Sequence, residues 1–359
     1  MATPSSFDVL TDASIQVILD GQATSGAYVA SPHFSQYGFA WLRDGSYCAL
    51  AMDAVGQRES AGAFHAWVVN VVVGQNTSIR SLIERLSQGD VPAPEHMLPT
   101  RYTLDGTRES VHDDEWPNFQ LDGYGTWLFA LAAHTGGVIE SDVADAAALA
   151  ADYLAAAWRL PCFDYWEEFG DRVHTSTLAA VAAGLRAAAS MLERADLEAA
   201  AQAVLDVIVT DCVVDGAFVK GPDDHRVDAS LVSLATPFNL VPVDDHRMRT
   251  TISRIRAELM SPTGGVRRYV GDTYYGGSPW ILLTAWLAWH LRRVGDDDGY
   301  RAARAWVEER AGEDGHMAEQ ITDEPQDAAW VAPWVRRWGP VADPLLWSHA
   351  KYLLMENGE

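Results

Sequence analysis

Two glutamates carry the chemistry that this chain can offer. Glu167 lies in the run FDYWEEFG at 163–170, and Glu319 lies in HMAEQ at 316–320. Both stretches interrupt a chain otherwise patterned for helices. Two carboxyl groups facing each other across a pocket suffice to cleave a glycosidic bond: one protonates the leaving oxygen and the other activates water. Around Glu167, the rings of Phe163, Tyr165, Trp166 and Phe169 can desolvate a carboxyl and raise its pKa toward that of a useful acid. Glu168 shares that setting. A solvated surface pair is the plain alternative for two adjacent glutamates.

Three further loops carry residues suited to sugars. In YGFAWLRDGS at 37–46, Tyr37 and Trp41 offer flat faces for the C–H faces of a ring. Arg43 and Asp44 can donate to and accept from neighbouring hydroxyls with fixed geometry. Asp44 is equally placed to cap a helix. In DDEWPNFQLD at 113–122, Trp116 is either a sugar platform or core filler. Asp122 either caps a helix or binds a hydroxyl. The loop GGVRRYVGDTYYGGSPW at 264–280 holds Arg268, Tyr275 and Trp280 among turn residues, a richer set than a connector needs. Glu319 precedes a Trp- and Pro-containing stretch that ends at Trp347, Ser348 and His349.

These loops need a frame. Ala-rich segments with helical apolar spacing predict twelve helices, near 7–20, 44–56, 58–76, 122–136, 140–158, 174–191, 194–213, 228–237, 244–260, 279–294, 297–312 and 344–356. VNVVV at 69–73 is strand-like in composition but sits inside a helical pattern. The helices alternate in character. Those starting near 44, 122, 174, 228, 279 and 344 are apolar and small, as buried helices are; the intervening ones carry a charged face. Starts recur at intervals of about 50 residues, one helical hairpin per repeat. The expected fold class is therefore all-α: an (α/α)6 barrel of six inner and six outer helices, one catalytic domain spanning 1–359. An open α-solenoid has the same local pattern. The aromatic and charged segments 33–44, 113–122, 161–174, 263–280 and 315–347 nearly all precede an inner helix. In a closed barrel they meet on one face.

Composition narrows the chemistry further. The chain has 359 residues, 48% of them hydrophobic, a net charge of −24 and a pI near 4.7. Such an acidic surface repels phosphate backbones, which argues against a nucleic-acid partner. Cys48, Cys162 and Cys212 are far apart, with no C-x-x-C pairing. There is no phosphate-binding loop, no H-E-x-x-H and no G-x-S-x-G. Asp296, Asp297 and Asp298 read as a solvated turn. No cofactor and no metal are expected. The first residues lack a basic region followed by an apolar run, and no stretch reads as a membrane span, so the expected setting is cytoplasmic.

Taken in order, W-x-R-D-G, L-D-G-Y-G, W-E-E, R-Y-x-x-D-x-Y-Y-G-G-x-P-W, A-E-Q and W-S-H-A make this chain resemble glycoside hydrolase family 15, the glucoamylase family, over nearly its whole length. The resemblance implies an inverting exo-hydrolase with Glu167 as general acid and Glu319 as general base. It implies that Tyr37, Trp41, Arg43 and Asp44 grip the terminal glucose, joined by Arg268 near the scissile bond. Trp116, Trp166, Glu168 and Trp280 would line the aglycone side, Ser348 would orient the base, and Tyr275 would assist it; Asp122 and Trp347 complete the binding set. The chain lacks the β-sandwich and starch-binding module of larger members. That favours isomaltose or short isomalto-oligosaccharides over starch, with malto-oligosaccharides and trehalose as alternatives within the family. Outside hydrolysis, the alternatives are a sugar phosphorylase, an epimerase using histidines such as His174, His316 and His349, or an oligosaccharide-binding protein.

Overall fold

The computed structural model describes residues 6–109 and 118–358. Thirteen α-helices are described: α1 Ser6–Asp20, α2 Leu42–Ala54, α3 Arg58–Gly74, α4 Asn76–Ser87, α5 Asp122–Thr135, α6 Ser141–Ala157, α7 Thr175–Leu192, α8 Ala195–Asp211, α9 His246–Arg254, α10 Ile281–Arg293, α11 Asp297–Glu308, α12 Val331–Trp338 and α13 Leu346–Asn357. A five-residue π turn, Ile255–Leu259, extends α9. Two short antiparallel pairs complete the elements: β1 Ala40–Trp41 with β2 Arg101–Tyr102, and β3 Val213–Val214 with β4 Ala217–Phe218.

The packing order closes a ring. α2 packs on α5, α5 on α7, α7 on a 3-10 turn at Ala229–Leu234, that turn on α10, α10 on α13, and α13 back on α2. This closure distinguishes a barrel from a solenoid. Around it, α3 covers α2, α6 covers α5 and α7, α8 covers α7, α9 covers the 3-10 turn, α11 covers α10 and α1 covers α13. The inner helices are apolar nearly all round, as their sequences demand: in α10, Ile281 through Leu291 are all buried. The outer helices bury one stripe, such as Ala303, Trp306 and Val307 of α11. α7 is long and apolar enough to cross a membrane, but 78% of that window is buried inside the protein, as its place in the inner ring requires.

Where α5 and α7 touch, two glycines remove the side chains between them. A Cβ on Gly125 would strike the Ala180 carbonyl, and one on Gly184 would strike the backbone of Gly125. The helices therefore meet backbone to backbone.

Three elements differ from the sequence expectation. The fourth inner helix, expected over 228–237, is only the six-residue 3-10 turn: Asp228 caps it, accepting from Ser230 N, and Thr236 precedes Pro237, whose ring disfavours helical geometry in the preceding residue. α4 was not expected; it is a polar helix that buries little beyond Ile79 and Leu82 and packs on α6. α12 was not among the expected helices; it lies in the Trp- and Pro-containing stretch after Glu319, and its Pro333 falls in the first helical turn, where no intrahelical N–H bond is lost.

The glycine contact gives the first expected outcome. Gly125→Ala should overpack the α5–α7 seam and cost about 1–3 kcal/mol. It should be read as a lower denaturant midpoint with an unchanged slope. A midpoint equal to that of the parent would show that the seam has slack.

Candidate active site

The floor of the site is built at the start of α2. β1 pairs with β2 in a register that sets Trp41 opposite Arg101, and α2 begins directly after Trp41. Arg43 is buried, 3.1 Å from Asp122 Oδ2 and 3.3 Å from Asp44 Oδ2. Its guanidinium lies over the rings of Tyr165 and Trp347, at 5.1 and 5.0 Å from their centroids. Burial pushes the Asp44 carboxyl up to about 6, against the pull of Arg43. Asp44 Oδ2 is buried against Arg43 and has no hydrogen bond in the protein beyond that ion pair.

Glu167 sits on a loop folded around Asp164. Asp164 Oδ1 accepts from the backbone N–H of Trp166 and of Glu168, at 2.9 and 3.0 Å, and so brackets Glu167. Glu167 and Phe169 both take left-handed backbone angles, with φ of 64° and 54°. The other Asp164 oxygen lies 2.7 Å from Lys220 Nζ, which also donates to Asp228 at 2.5 Å. Asp228 in turn accepts from Trp166 Nε1 at 3.0 Å. The loop thus hangs on one buried lysine held between two aspartates. Glu167 Oε1 accepts from Trp41 Nε1 at 2.7 Å. Burial raises its pKa, opposed by Arg43 and Arg101. Glu168 meets the Tyr269 hydroxyl and lies 3.5 Å from Arg268, and burial raises its pKa too.

Glu319 enters from the other side. Its N–H bonds the Ala342 carbonyl at 2.9 Å, and its own carbonyl accepts from Ile281 N at 3.2 Å. Single antiparallel bridges join Val266 to Trp280 and Trp280 to Gln320, so neighbouring loops are tied laterally across the barrel face. The carboxyl is 2% exposed. Its Oε1 accepts from the Tyr37 hydroxyl at 2.9 Å, and that hydroxyl lies 3.0 Å from the Tyr274 hydroxyl. Burial pushes Glu319 up to about 7, with the Tyr37 hydrogen bond and Arg268 acting downward.

Both glutamates face one cavity of about 270 Å³. Of the expected site residues, Tyr37, Trp41, Arg43, Asp44, Trp166, Glu168, Arg268, Trp280 and Trp347 line it with them. Two acids of raised proton affinity in one partly apolar pocket can divide the roles of proton donor and acceptor near neutral pH.

These features match a known family. Residues 8–327 fit the pattern of the Glycosyl hydrolases family 15. The chain belongs to that family. It is 40% identical to the isomaltose glucohydrolase of Kribbella flavida over 351 residues, covering 95% of this chain and 90% of that protein. A glycosidase variant solved in complex with glucose is 37% identical, with a TM-score of 0.94 and 99% of each chain covered. A bacterial glucoamylase complexed with acarbose shares the fold at 20% identity and a TM-score of 0.75, over 98% of this chain and 56% of that one. This family 15 chain is a glycoside hydrolase on an (α/α)6 barrel.

Three expected contacts of the hydrolase are corrected by the geometry. Asp122 is fully buried behind Arg43 and positions that guanidinium; it does not line the cavity. Tyr275 points away, donating to the Gly339 carbonyl at 2.8 Å, and its neighbour Tyr274 takes the place expected of it. The backbone of Tyr275, with φ of 45°, turns the pair this way. Ser348 is buried and bonds the Ala318 carbonyl at 2.8 Å, so it acts on Glu319 only through the main chain. Trp116 lies outside the described residues. The cavity also takes Phe34, Gln36, Arg101, Tyr165, Trp334, Arg337 and Trp338, none of which was among the expected substrate-binding residues. Tyr165 and Tyr274 stood inside quoted motifs, and Phe34, Gln36, Trp334, Arg337 and Trp338 lie in the segments 33–44 and 315–347 expected on this face; Arg101 lies in none of them.

The lysine bridge under the Glu167 loop yields an expected outcome. Lys220→Met leaves two buried aspartates uncompensated and should cost about 3–5 kcal/mol. Hydrolysis should fall as well, because Glu167 loses its brace. Denaturation and turnover measured on the same preparation check both parts, and a variant matching the parent in each would remove the bridge from this role.

Proposed function

We propose that this chain is an exo-acting α-glucosidase that releases β-glucose from the non-reducing end of isomaltose and short isomalto-oligosaccharides. The observation that carries the reading is the pair of pocket-lining glutamates on separate loops, each with its own aromatic donor: Trp41 for Glu167 and Tyr37 for Glu319. The resemblance to an isomaltose glucohydrolase over nearly the full length of both chains supports the substrate. The cavity, at about 270 Å³, falls just below the usual small-molecule range of about 300–1,000 Å³, which favours a short ligand.

In this mechanism the terminal glucose enters until Arg43 and Asp44 meet its hydroxyls. Glu167 is the general acid: its carboxyl gives a proton to the glycosidic oxygen as the bond to C1 breaks. Glu319 is the general base: it takes a proton from a water whose oxygen bonds C1 from the opposite face. One bond breaks, one forms, and the anomeric configuration inverts. Inverting enzymes hold their carboxyls about 6.5–9.5 Å apart to admit that water. In this reading Arg268 stands near the scissile bond, and Glu168, Trp166 and Trp280 line the leaving-group side. Helix α12 adds Trp334 and Trp338 to the wall there, with Trp334 packed on Tyr274 at 5.0 Å between centroids.

Isomaltose, maltose and trehalose should be compared side by side, with NMR reporting the anomer. Fast β-glucose release from isomaltose is expected. Release of α-glucose would sink the inverting assignment; trehalose as the best substrate would place the chain with the trehalases of the family. Glu319→Gln should lower kcat by about 10²–10⁴ while substrate still binds.

Tyr37→Phe should act on the pH profile. The Tyr37 hydrogen bond lowers the pKa of Glu319, so its loss raises that pKa. The base must be ionised, so the acidic limb of kcat/KM should move to higher pH, by roughly 1 unit. A profile that only drops in height would show that Tyr37 binds sugar without tuning the base.

A further inference from the structure

At the end of the barrel remote from the pocket, three side chains from three helices converge. Asp53 stands near the C-terminus of α2, His65 lies within α3, and His134 stands near the C-terminus of α5. One carboxylate oxygen and two ring nitrogens of this group lie within 4.8 Å of one another. His134 Nδ1 lies 2.9 and 3.0 Å from the two Asp53 oxygens, and the His65 and His134 rings are 4.8 Å apart. Ten residues of α2 separate Asp53 from Arg43, roughly 15 Å along the helix axis.

His65 is the informative member. It is 4% exposed, yet neither of its ring nitrogens has a hydrogen-bond partner in the protein. A buried imidazole normally satisfies at least one nitrogen. From this geometry we propose that Asp53, His65 and His134 form a binding site for a divalent first-row transition metal, with Zn²⁺ its natural representative. Two imidazoles and one carboxylate are the donor set such ions favour, whereas Mg²⁺ and Ca²⁺ take oxygen ligands. Asp53 and His134 stand near the C-terminal ends of α2 and α5, where the helix dipoles favour positive charge. Access is open: the Asp53 and His134 side chains are 15% and 16% exposed. The cation now nearest is Arg58, whose NH1 is 3.6 Å from Asp53 Oδ1 and whose NH2 donates to the His134 carbonyl at 2.6 Å. Its side chain is 62% exposed and is free to swing outward from Asp53. A metal here fastens α3 of the outer ring to α2 and α5 of the inner ring. None of the three residues lines the catalytic cavity, so the role is structural.

The test uses the full chain freed of metal with a chelator and titrated with ZnCl₂ by calorimetry, with Co²⁺ as the spectroscopic probe. One equivalent should bind with a Kd of about 10 μM or tighter. Co²⁺ should show the visible absorption of a low-symmetry nitrogen–oxygen site, and saturating Zn²⁺ should raise Tm by about 2–5 °C. His65→Leu, which keeps the volume, and Asp53→Asn, which keeps a partner for His134, should each lose the bound equivalent while circular dichroism stays that of the parent. Absence of binding up to about 100 μM metal overturns the proposal. So does full stoichiometry in both variants, which would place the metal on other surface ligands.

Discussion

The geometry of the loop that carries Glu167 depends on one ammonium group. Lys220 sits in the protein interior between Asp164 and Asp228, and the backbone restraint on the Glu167 loop passes through it. Asp164 holds the two peptide N–H groups that flank Glu167, and Asp228 holds the indole of Trp166. Desolvating three charges is expensive, and an apolar core of the same volume would serve stability at least as well. What the cluster supplies is a fixed place for a loop with two left-handed non-glycine residues, a conformation that costs of order 1–3 kcal/mol per residue unless its surroundings impose it.

The floor of the pocket uses a second kind of restraint. The Arg43 guanidinium and the Lys351 amine are both buried and set against aromatic faces. Lys351 Nζ lies 3.2 Å from the ring centroids of Tyr47 and of Trp286, and burial pushes its pKa well below the usual lysine range. Tyr47 stacks on Trp347 at 5.7 Å, and Trp347 carries Arg43. This column of rings lies inside the barrel and closes the bottom of the cavity. A pocket closed below and walled by tryptophan suits removal of one terminal sugar at a time.

The position of each pocket-lining group on the barrel follows from the closed ring. Every inner element presents its N-terminal end to the same face, so loops far apart in the chain become neighbours. Antiparallel bridges between single residues, such as Trp280 with Gln320, then fix them to each other. The acidic cluster at 296–298 plays no part: Asp296 caps α11 and pairs with Arg256.

The sequence by itself determined the alternation of buried and half-buried helices, the segments that converge on one face and the two carboxylates among them. These signals are local: apolar periodicity records how a helix is packed, and glutamates in aromatic loops stand out against a helical background. Tertiary structure decided which neighbour faces the cavity. Tyr274 rather than Tyr275 reaches Tyr37 because of a left-handed turn at Tyr275; Asp122 and Ser348 serve from behind; and α12, in a stretch with no helix expected, adds tryptophans to the wall. Those outcomes rest on backbone angles and on partners tens to hundreds of residues away, such as Tyr37 with Glu319 and Arg43 with Trp347. Residue type and spacing cannot encode them, because the direction of a side chain in a loop is set by what the rest of the fold packs against it.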